Sequence, residues 1–151
     1  MSAQSIQARR YPDANCFGCG QKNANGLRLQ SFVGDNGRVL AQFTPAPEHS
    51  NGHDSVNGGI LSTILDCHAV ATAVHALDAA FAVTKQFNIE FLAPAPMQCL
   101  TLTAWVTEQR ARSAQVEATA SAAGQVCARL SGVFVVPRDF SGMGCAARRS
   151  A

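Results

Sequence analysis

The chain has 151 residues, of which 47% are apolar and 15% charged, and its net charge is +2. This length predicts a single domain with a hydrophobic core, and the composition excludes a disordered chain. The small net charge argues against nucleic acid or a membrane surface as the main partner.

The N-terminal segment, residues 1–15, is polar and is predicted to be a flexible arm. It contains no apolar stretch of the kind that signal peptides carry. No part of the chain reaches the roughly 20 apolar residues that a membrane-spanning helix needs. We therefore expect a cytoplasmic protein without a membrane partner.

Two of the six cysteines, Cys16 and Cys19, have the spacing of a metal-binding knuckle. No second pair of cysteines or histidines completes a set of four ligands, so no metal site is predicted. We interpret the segment as a tight turn with small thiols, and a metal site or a redox pair are the alternatives. A disulfide framework is not expected without a secretory signal.

A β-hairpin is predicted next. Residues 27–33 alternate with the period of a strand, and the Asn-Gly pair within residues 34–37 is a strong hairpin signal. Residues 38–44 return as the second strand, which two prolines end.

A long helix is predicted from Gly58 to about Leu77, after a polar loop over residues 48–57. Its residues are apolar or small on nearly every face, which is typical of a helix buried on nearly all sides. One carboxylate, Asp66, lies inside this apolar run. Burying a carboxylate costs several kcal/mol unless it is paired, hydrogen-bonded or neutralised. The helix therefore either holds a partner for Asp66 or uses it.

Four further strands are predicted, over residues 83–92, 98–109, 113–123 and 125–136. Short connections join them, which predicts a mainly antiparallel sheet. A single curved sheet covers one side of a helix. The remaining apolar faces therefore predict a homo-oligomer, a dimer at minimum and a tetramer as the larger assembly. Residues 138–151 are predicted to be a flexible tail.

The order β-β-α-β-β-β-β resembles the hotdog fold, an α+β fold in which a mainly antiparallel curved sheet wraps around one long central helix. The helix start is similar to that of PaaI-like (phenylacetic-acid-degradation type) acyl-CoA thioesterases, which have an Asn, a short loop, His-Gly-Gly and then an Asp. The matching residues are Asn51, Asn57-Gly58-Gly59 and Asp66. Residues 83–94 and 16–27 also resemble the family, so the expected thioesterase domain spans residues 16–137.

The resemblance implies a role for each matching residue. Asp66 would be the general base or nucleophile, and the backbone N–H of Gly58 would polarise the thioester carbonyl. Asn51 would orient the substrate or the lytic water, and Thr84 would support the water or the carboxylate. The substrate would be a coenzyme A thioester, with no cofactor and no metal.

Asn57 stands where the family most often has His, and with Gly59 it is expected to contact the substrate. An Asn side chain exchanges hydrogen bonds but cannot carry a proton at neutral pH. The presence of Asn57 at this position makes a non-catalytic acyl-CoA-binding protein the alternative to an enzyme. A hotdog dehydratase is a third possibility, but it would want a His paired with an acid, and no His occupies this position.

Helix geometry argues for a site shared between two chains. The first N–H groups of a helix lack intrahelical partners and favour negative charge, so Gly58 can donate to an oxyanion. Gly58 and Asp66 are eight positions apart, which is about 12 Å along one helix. Reacting atoms must approach within about 3–3.5 Å. Two antiparallel helices related by a two-fold axis would bring Gly58 of one chain to Asp66 of the other.

Basic residues near turns and strand ends are candidates for binding the coenzyme A phosphates. Arg110 and Arg112 lie in a predicted turn, and Lys85 and Arg138 lie near strand ends. Their charged groups would form strong hydrogen bonds with phosphate oxygens. The alternative is that these exposed side chains only increase solubility.

Overall fold

A computed structural model of the protein describes residues 4–138. Over these residues the chain forms two α-helices, six β-strands and one short 3₁₀ turn. In chain order the elements are α1 (Ile6–Arg10), β1 (Ser31–Val33), β2 (Val39–Phe43), the 3₁₀ turn (Pro47–His49), α2 (Gly58–Ala76), β3 (Val83–Phe91), β4 (Leu100–Gln109), β5 (Ser113–Ala122) and β6 (Gln125–Val135).

All six strands of the described region belong to one sheet, in the spatial order β1-β2-β4-β5-β6-β3. Each neighbouring pair is antiparallel. β1 and β3 are the edge strands, so β3, which directly follows the long helix in the chain, has β6 on one side only. The predicted hotdog fold is confirmed, with one long helix packed against a mainly antiparallel sheet.

The helix α2 forms the centre of the hydrophobic core. Its residues Leu61, Ile64 and Leu65 are at most 3% exposed, and they pack against alternate residues of β4, β5 and β6. By length and composition α2 could also cross a membrane, but the core helix of a folded domain has the same pattern, and more than half of α2 is buried inside the protein.

A buried chain of polar groups ties α1, β1 and β2 to α2. The Gln7 side chain both accepts from the Ser31 N–H at 2.8 Å and donates to Ser31 Oγ at 3.2 Å. Ser31 Oγ donates to His68 Nδ1 at 2.8 Å, and His68 Nε2 donates to the Val39 carbonyl at 3.1 Å. Burial lowers the pKa of His68 from 6.5 to about 4. The imidazole is therefore neutral at pH 7, and its proton is on Nε2 because the Val39 carbonyl can only accept.

The structure differs from the flexible arm expected over residues 1–15. Residues 6–10 form α1, and the Ser5 side chain caps it by accepting from the Ala8 N–H. Ile6 and Gln7 are fully buried. The segment is held because Ile6 packs into a small apolar cluster and Gln7 finds polar partners inside the protein.

The strand expected over residues 27–33 is also shorter, because β1 includes only Ser31–Val33. Arg28 has a positive φ of 52°, which breaks an extended strand. The N–H groups of Leu27 and Leu29 donate instead to the carbonyls of Phe17 and Gly18. The tail expected over residues 138–151 lies outside the described residues, apart from Arg138.

We expect the free energy of unfolding to decrease as the pH falls from 6.5 to about 4. In this window His68 stays neutral in the fold but takes up a proton in the unfolded chain. The unfolded state therefore binds more protons, and stability falls with pH by about 3 kcal/mol in total. Urea unfolding at several pH values measures the effect.

A His68→Gln variant should lose this contribution to the pH dependence, because it has no imidazole to titrate. His53 is exposed, so His53→Gln should keep the wild-type dependence. Equal pH dependence in the wild type and His68→Gln would contradict the prediction.

Candidate functional site

The first half of the site is the carboxylate on α2. Thr84 Oγ1, at the start of β3, donates a hydrogen bond to Asp66 Oδ1 at 2.7 Å. Burial raises the pKa of Asp66 above its ordinary value, and the Thr84 hydrogen bond only partly opposes that effect. Both residues line a pocket of about 380 Å³ together with Val70 and Phe81. Asp66 is therefore a partly desolvated carboxylate that faces a cavity and can accept a proton.

Three cysteines line the same pocket. Cys16 and Cys19 come from the N-terminal turn, and Cys67 follows Asp66 on α2. Their sulfur atoms all lie within 4.8 Å of one another, and the Cys16 and Cys67 sulfurs are 3.7 Å apart. Hydrogen bonds from the Cys19 and Cys67 thiols hold the pKa of Cys16 well below its usual range.

No pattern in the sequence predicts that Cys67 joins this cluster, because a single cysteine in an apolar helix is typical of a small buried residue. Cys67 lies far along the chain from Cys16 and Cys19, so no local spacing connects it to them. Only the folding of the N-terminal turn over α2 brings the three sulfurs together. The available signal was the position of Cys67 next to Asp66.

The second half of the site lies at the N-terminus of α2. Asn51 and Gly58 line a pocket of about 410 Å³, and Phe91, Leu92 and the segment after them form its opposite wall. Asn51 Oδ1 accepts from the His53 N–H at 2.7 Å, which orders the loop before the helix. The structure thus places Asn51 and Gly58 in one pocket at the positive end of the helix dipole.

Asn57 and Gly59 form the helix cap. Asn57 Oδ1 accepts from the Gly59 N–H at 2.8 Å, and Asn is among the most favoured residues at this position. Gly58, between them, is the residue that lines the pocket. Asn57 and Gly59 thus bond to each other within the chain, and any contact with a substrate stays a prediction.

The two halves of the site remain apart within one chain. The pocket that contains Asp66 and Thr84 has no lining residue in common with the pocket that contains Asn51 and Gly58. This separation follows from the rigid helix between Gly58 and Asp66, whose rise over eight positions is about 12 Å.

A third pocket, of about 540 Å³, collects the predicted phosphate-binding residues. It is lined by Lys85, Arg110, Arg112 and Arg138, with Glu108 as an acidic neighbour. Arg110 Nε pairs with Glu108 at 2.9 Å, and Arg112 donates to a backbone carbonyl. The pocket is also lined by strand residues that alternate with buried ones, so it lies on the sheet face opposite the core. Within one chain it is separate from both halves of the site.

The chain is similar in sequence and in fold to proteins of one superfamily. The sequence model described as "Thioesterase superfamily" matches residues 53–128. A thioesterase superfamily protein from Shewanella loihica is 34% identical, with 72% of this chain and 91% of that chain covered and a TM-score of 0.64. No curated protein matches the chain.

More distant structures share the fold. The PaaI protein from the phenylacetic acid degradation operon of Escherichia coli is 22% identical, with 74% and 80% of the two chains covered and a TM-score of 0.63. A Streptococcus mutans protein bound to acetyl-CoA is 17% identical, with 72% and 88% covered and a TM-score of 0.63.

We expect Asn57→Ala to lower the free energy of unfolding by about 1 kcal/mol, because it removes the side-chain acceptor for the Gly59 N–H. Asn57→Ser should retain most of the stability, since Ser is a comparable cap. Urea unfolding of the three proteins measures the difference. An Asn57→Ala variant as stable as the wild type would contradict a capping role.

Proposed function

The chain belongs to the thioesterase superfamily, and on that basis we propose that it hydrolyses an acyl- or aryl-acyl-coenzyme A to the free acid and coenzyme A. The observation that carries the proposal is the division of the site: a partly buried carboxylate, Asp66, in one pocket and a helix N-terminus, Gly58, in another. A related fold with acetyl-CoA bound supports this class of substrate.

The edge strand β3 is the element through which two chains would complete the site. Thr84 lies near its beginning, beside Asp66, and Phe91 ends it beside Gly58, where an added Cβ would lie 3.3 Å from Phe91 Cζ. Two copies of β3 paired antiparallel about a two-fold axis near residues 87–88 would place Thr84 of one chain against Phe91 of the other. Each Asp66 would then face the partner's Gly58.

The exposed apolar residues around β3 support this pairing. Phe91 is 54% exposed and Leu92 is 48% exposed in the single chain. An edge strand with free backbone groups is a template for pairing with another chain, and proteins usually cover or block such an edge. A second copy of the chain would cover both the edge and these side chains. A tetramer formed from two such dimers, in the cytoplasm, is the larger assembly that we propose.

In the proposed reaction Asp66 accepts a proton from a water molecule, which attacks the thioester carbonyl carbon. The carbonyl oxygen becomes an oxyanion and accepts a hydrogen bond from the partner's Gly58 N–H. The intermediate then breaks its carbon–sulfur bond and releases the free acid and the coenzyme A thiolate, and Asp66 passes its proton to solvent, which regenerates the carboxylate. Thr84 holds the carboxylate in place, and Asn51 orients the substrate or the water.

The chemistry of the leaving group is compatible with Asn57. A thiol has a pKa of about 8.5, so a thiolate can leave without a proton from a general acid. The position before the two glycines therefore does not have to carry a proton. An Asn that caps the helix and holds the Gly59 N–H leaves the Gly58 N–H as the donor that faces the pocket.

The basic pocket would receive the phosphates of coenzyme A. The pocket contains four positively charged side chains, those of Lys85, Arg110, Arg112 and Arg138, and one negatively charged side chain, that of Glu108. Guanidinium groups bind phosphate oxygens in a bidentate geometry. Lys85 directly follows Thr84, so the pocket borders the strand that carries one half of the site.

We expect Asp66→Asn to reduce the turnover rate by about 10²–10⁴-fold, because it removes the general base. Release of free thiol from a panel of acyl-coenzyme A substrates measures turnover, and calorimetry measures binding, which should persist. Asp35→Asn, an exposed carboxylate, is the matched control. Full turnover by Asp66→Asn would exclude Asp66 from the mechanism, and tight binding without thiol release by the wild type would favour the non-catalytic binder.

We also expect two inactive variants to complement each other. Gly58→Pro removes the proposed donor N–H, while proline is well tolerated at the first position of a helix. In a mixed dimer of Asp66→Asn and Gly58→Pro chains, one of the two sites would contain both an intact Asp66 and an intact Gly58.

Unfolding and refolding the two variants together should therefore restore about a quarter of the wild-type activity, since half of the dimers are mixed and each has one intact site. Each variant refolded alone is the control. Absence of any recovery in mixtures that are shown to contain mixed dimers would contradict a shared site.

A further inference from the structure

Cys16, Cys19 and Cys67 have no role in the proposed hydrolysis, but their sulfur atoms form a compact cluster. The three sulfurs lie within 4.8 Å of one another, and none of these residues is in a disulfide. The Cys16 and Cys67 sulfurs are 3.7 Å apart, whereas a disulfide bond requires about 2.05 Å. Three unlinked thiols thus converge on one point at the wall of the Asp66 pocket.

The separation of the sulfurs matches the edge of a metal–thiolate tetrahedron. With zinc–sulfur bonds of about 2.3 Å and tetrahedral angles, neighbouring sulfurs are about 3.8 Å apart. The 3.7 Å between Cys16 and Cys67 is already this distance. A cation could therefore enter among the sulfurs with little rearrangement of the chain.

The backbone from Cys16 to Gly20 forms a tight turn that packs against α2. The Gly20 N–H donates a hydrogen bond to the Cys16 carbonyl at 2.9 Å and closes the turn. A Cβ at Gly18 would lie 2.3 Å from the Cys67 sulfur, so only glycine allows the turn to lie this close to α2. Close packing of the turn at Gly18 therefore places the sulfurs of Cys16 and Cys19 near the sulfur of Cys67.

The buried hydroxyl group of Tyr11, beside the three cysteines, supports a bound ion among the sulfurs. Tyr11 lines the same pocket as the three cysteines. Among the described residues its hydroxyl group is buried with no hydrogen-bond partner. A buried hydroxyl without a partner is unfavourable, because it has lost its hydrogen bonds to water. A thiolate, or a water molecule bound to a cation, would satisfy it.

We propose that Cys16, Cys19 and Cys67 bind one thiophilic divalent cation of the zinc class, in a tetrahedral site whose fourth position opens onto the Asp66 pocket. Each thiol releases its proton to solvent as its sulfur bonds to the cation, and a water molecule completes the tetrahedron. The cation would link the turn that carries Cys16 and Cys19 to α2, directly beside Asp66. Binding of the cation does not depend on the proposed hydrolysis.

The experiment adds Zn²⁺ or Co²⁺ to the full-length, metal-free protein, kept reduced with a phosphine. We expect one ion per chain, with thiolate-to-cobalt charge-transfer absorption and the visible bands of tetrahedral cobalt. Zinc should also raise the unfolding temperature, because it binds the folded state in preference to the unfolded one. Absence of these absorption bands, together with no shift in unfolding temperature, would overturn the proposal.

Cysteine variants identify the ligands. Loss of an outer partner of a metal ligand already costs about 10–100-fold in affinity, so Cys16→Ser and Cys67→Ser should each weaken Zn²⁺ binding by at least that factor. Cys16 is exposed, so its substitution tests binding without disturbing the core. Cys99→Ser, at an exposed cysteine outside the cluster, should bind zinc like the wild type. Unchanged affinity in Cys16→Ser would overturn the assignment.

Discussion

The burial of α2 against the sheet is the interaction on which the rest of the structure depends. The apolar side chains of this helix and the inner faces of β4, β5 and β6 form one continuous core. Because the helix is rigid and long, it keeps its N-terminal donor and its carboxylate about 12 Å apart. The same burial desolvates Asp66 and raises its pKa. Packing and chemistry therefore have the same physical origin.

The cost of placing a carboxylate on such a helix is reduced by local contacts. The Thr84 hydroxyl donates to Asp66, and the carboxylate still faces a pocket. Because a neighbouring strand supplies that hydroxyl, the position of Asp66 depends on the edge strand β3. β3 contacts Asp66 at its start, through Thr84, and Gly58 at its end, through Phe91. In the proposed dimer, pairing of this strand therefore links assembly to activity.

The N-terminal part of the chain has a larger structural role than its polar composition indicates. Ser31, which is itself hydrogen-bonded to Gln7, is a partner of the buried His68, and the N-terminal turn brings Cys16 and Cys19 close to Cys67. The first 31 residues therefore contact two adjacent residues of α2, Cys67 and His68, directly after Asp66. A cation among the three sulfurs would reinforce the same contact.

Local patterns predict the order of the elements, and the resemblance of that order and of the segment from Asn51 to Asp66 to a known family implies the fold and the site residues. Period-two alternation, an Asn-Gly turn and the apolar run after Gly58 predict the strands, hairpin and helix because each is determined by neighbours in sequence. The helix rise alone separates Gly58 from Asp66. Only the tertiary structure revealed α1, the early end of strand pairing at Arg28 and the use of Asn57 as a cap. It also decided that Cys67 joins Cys16 and Cys19, since contacts between residues distant in sequence follow from how the chain packs and leave no periodic signal.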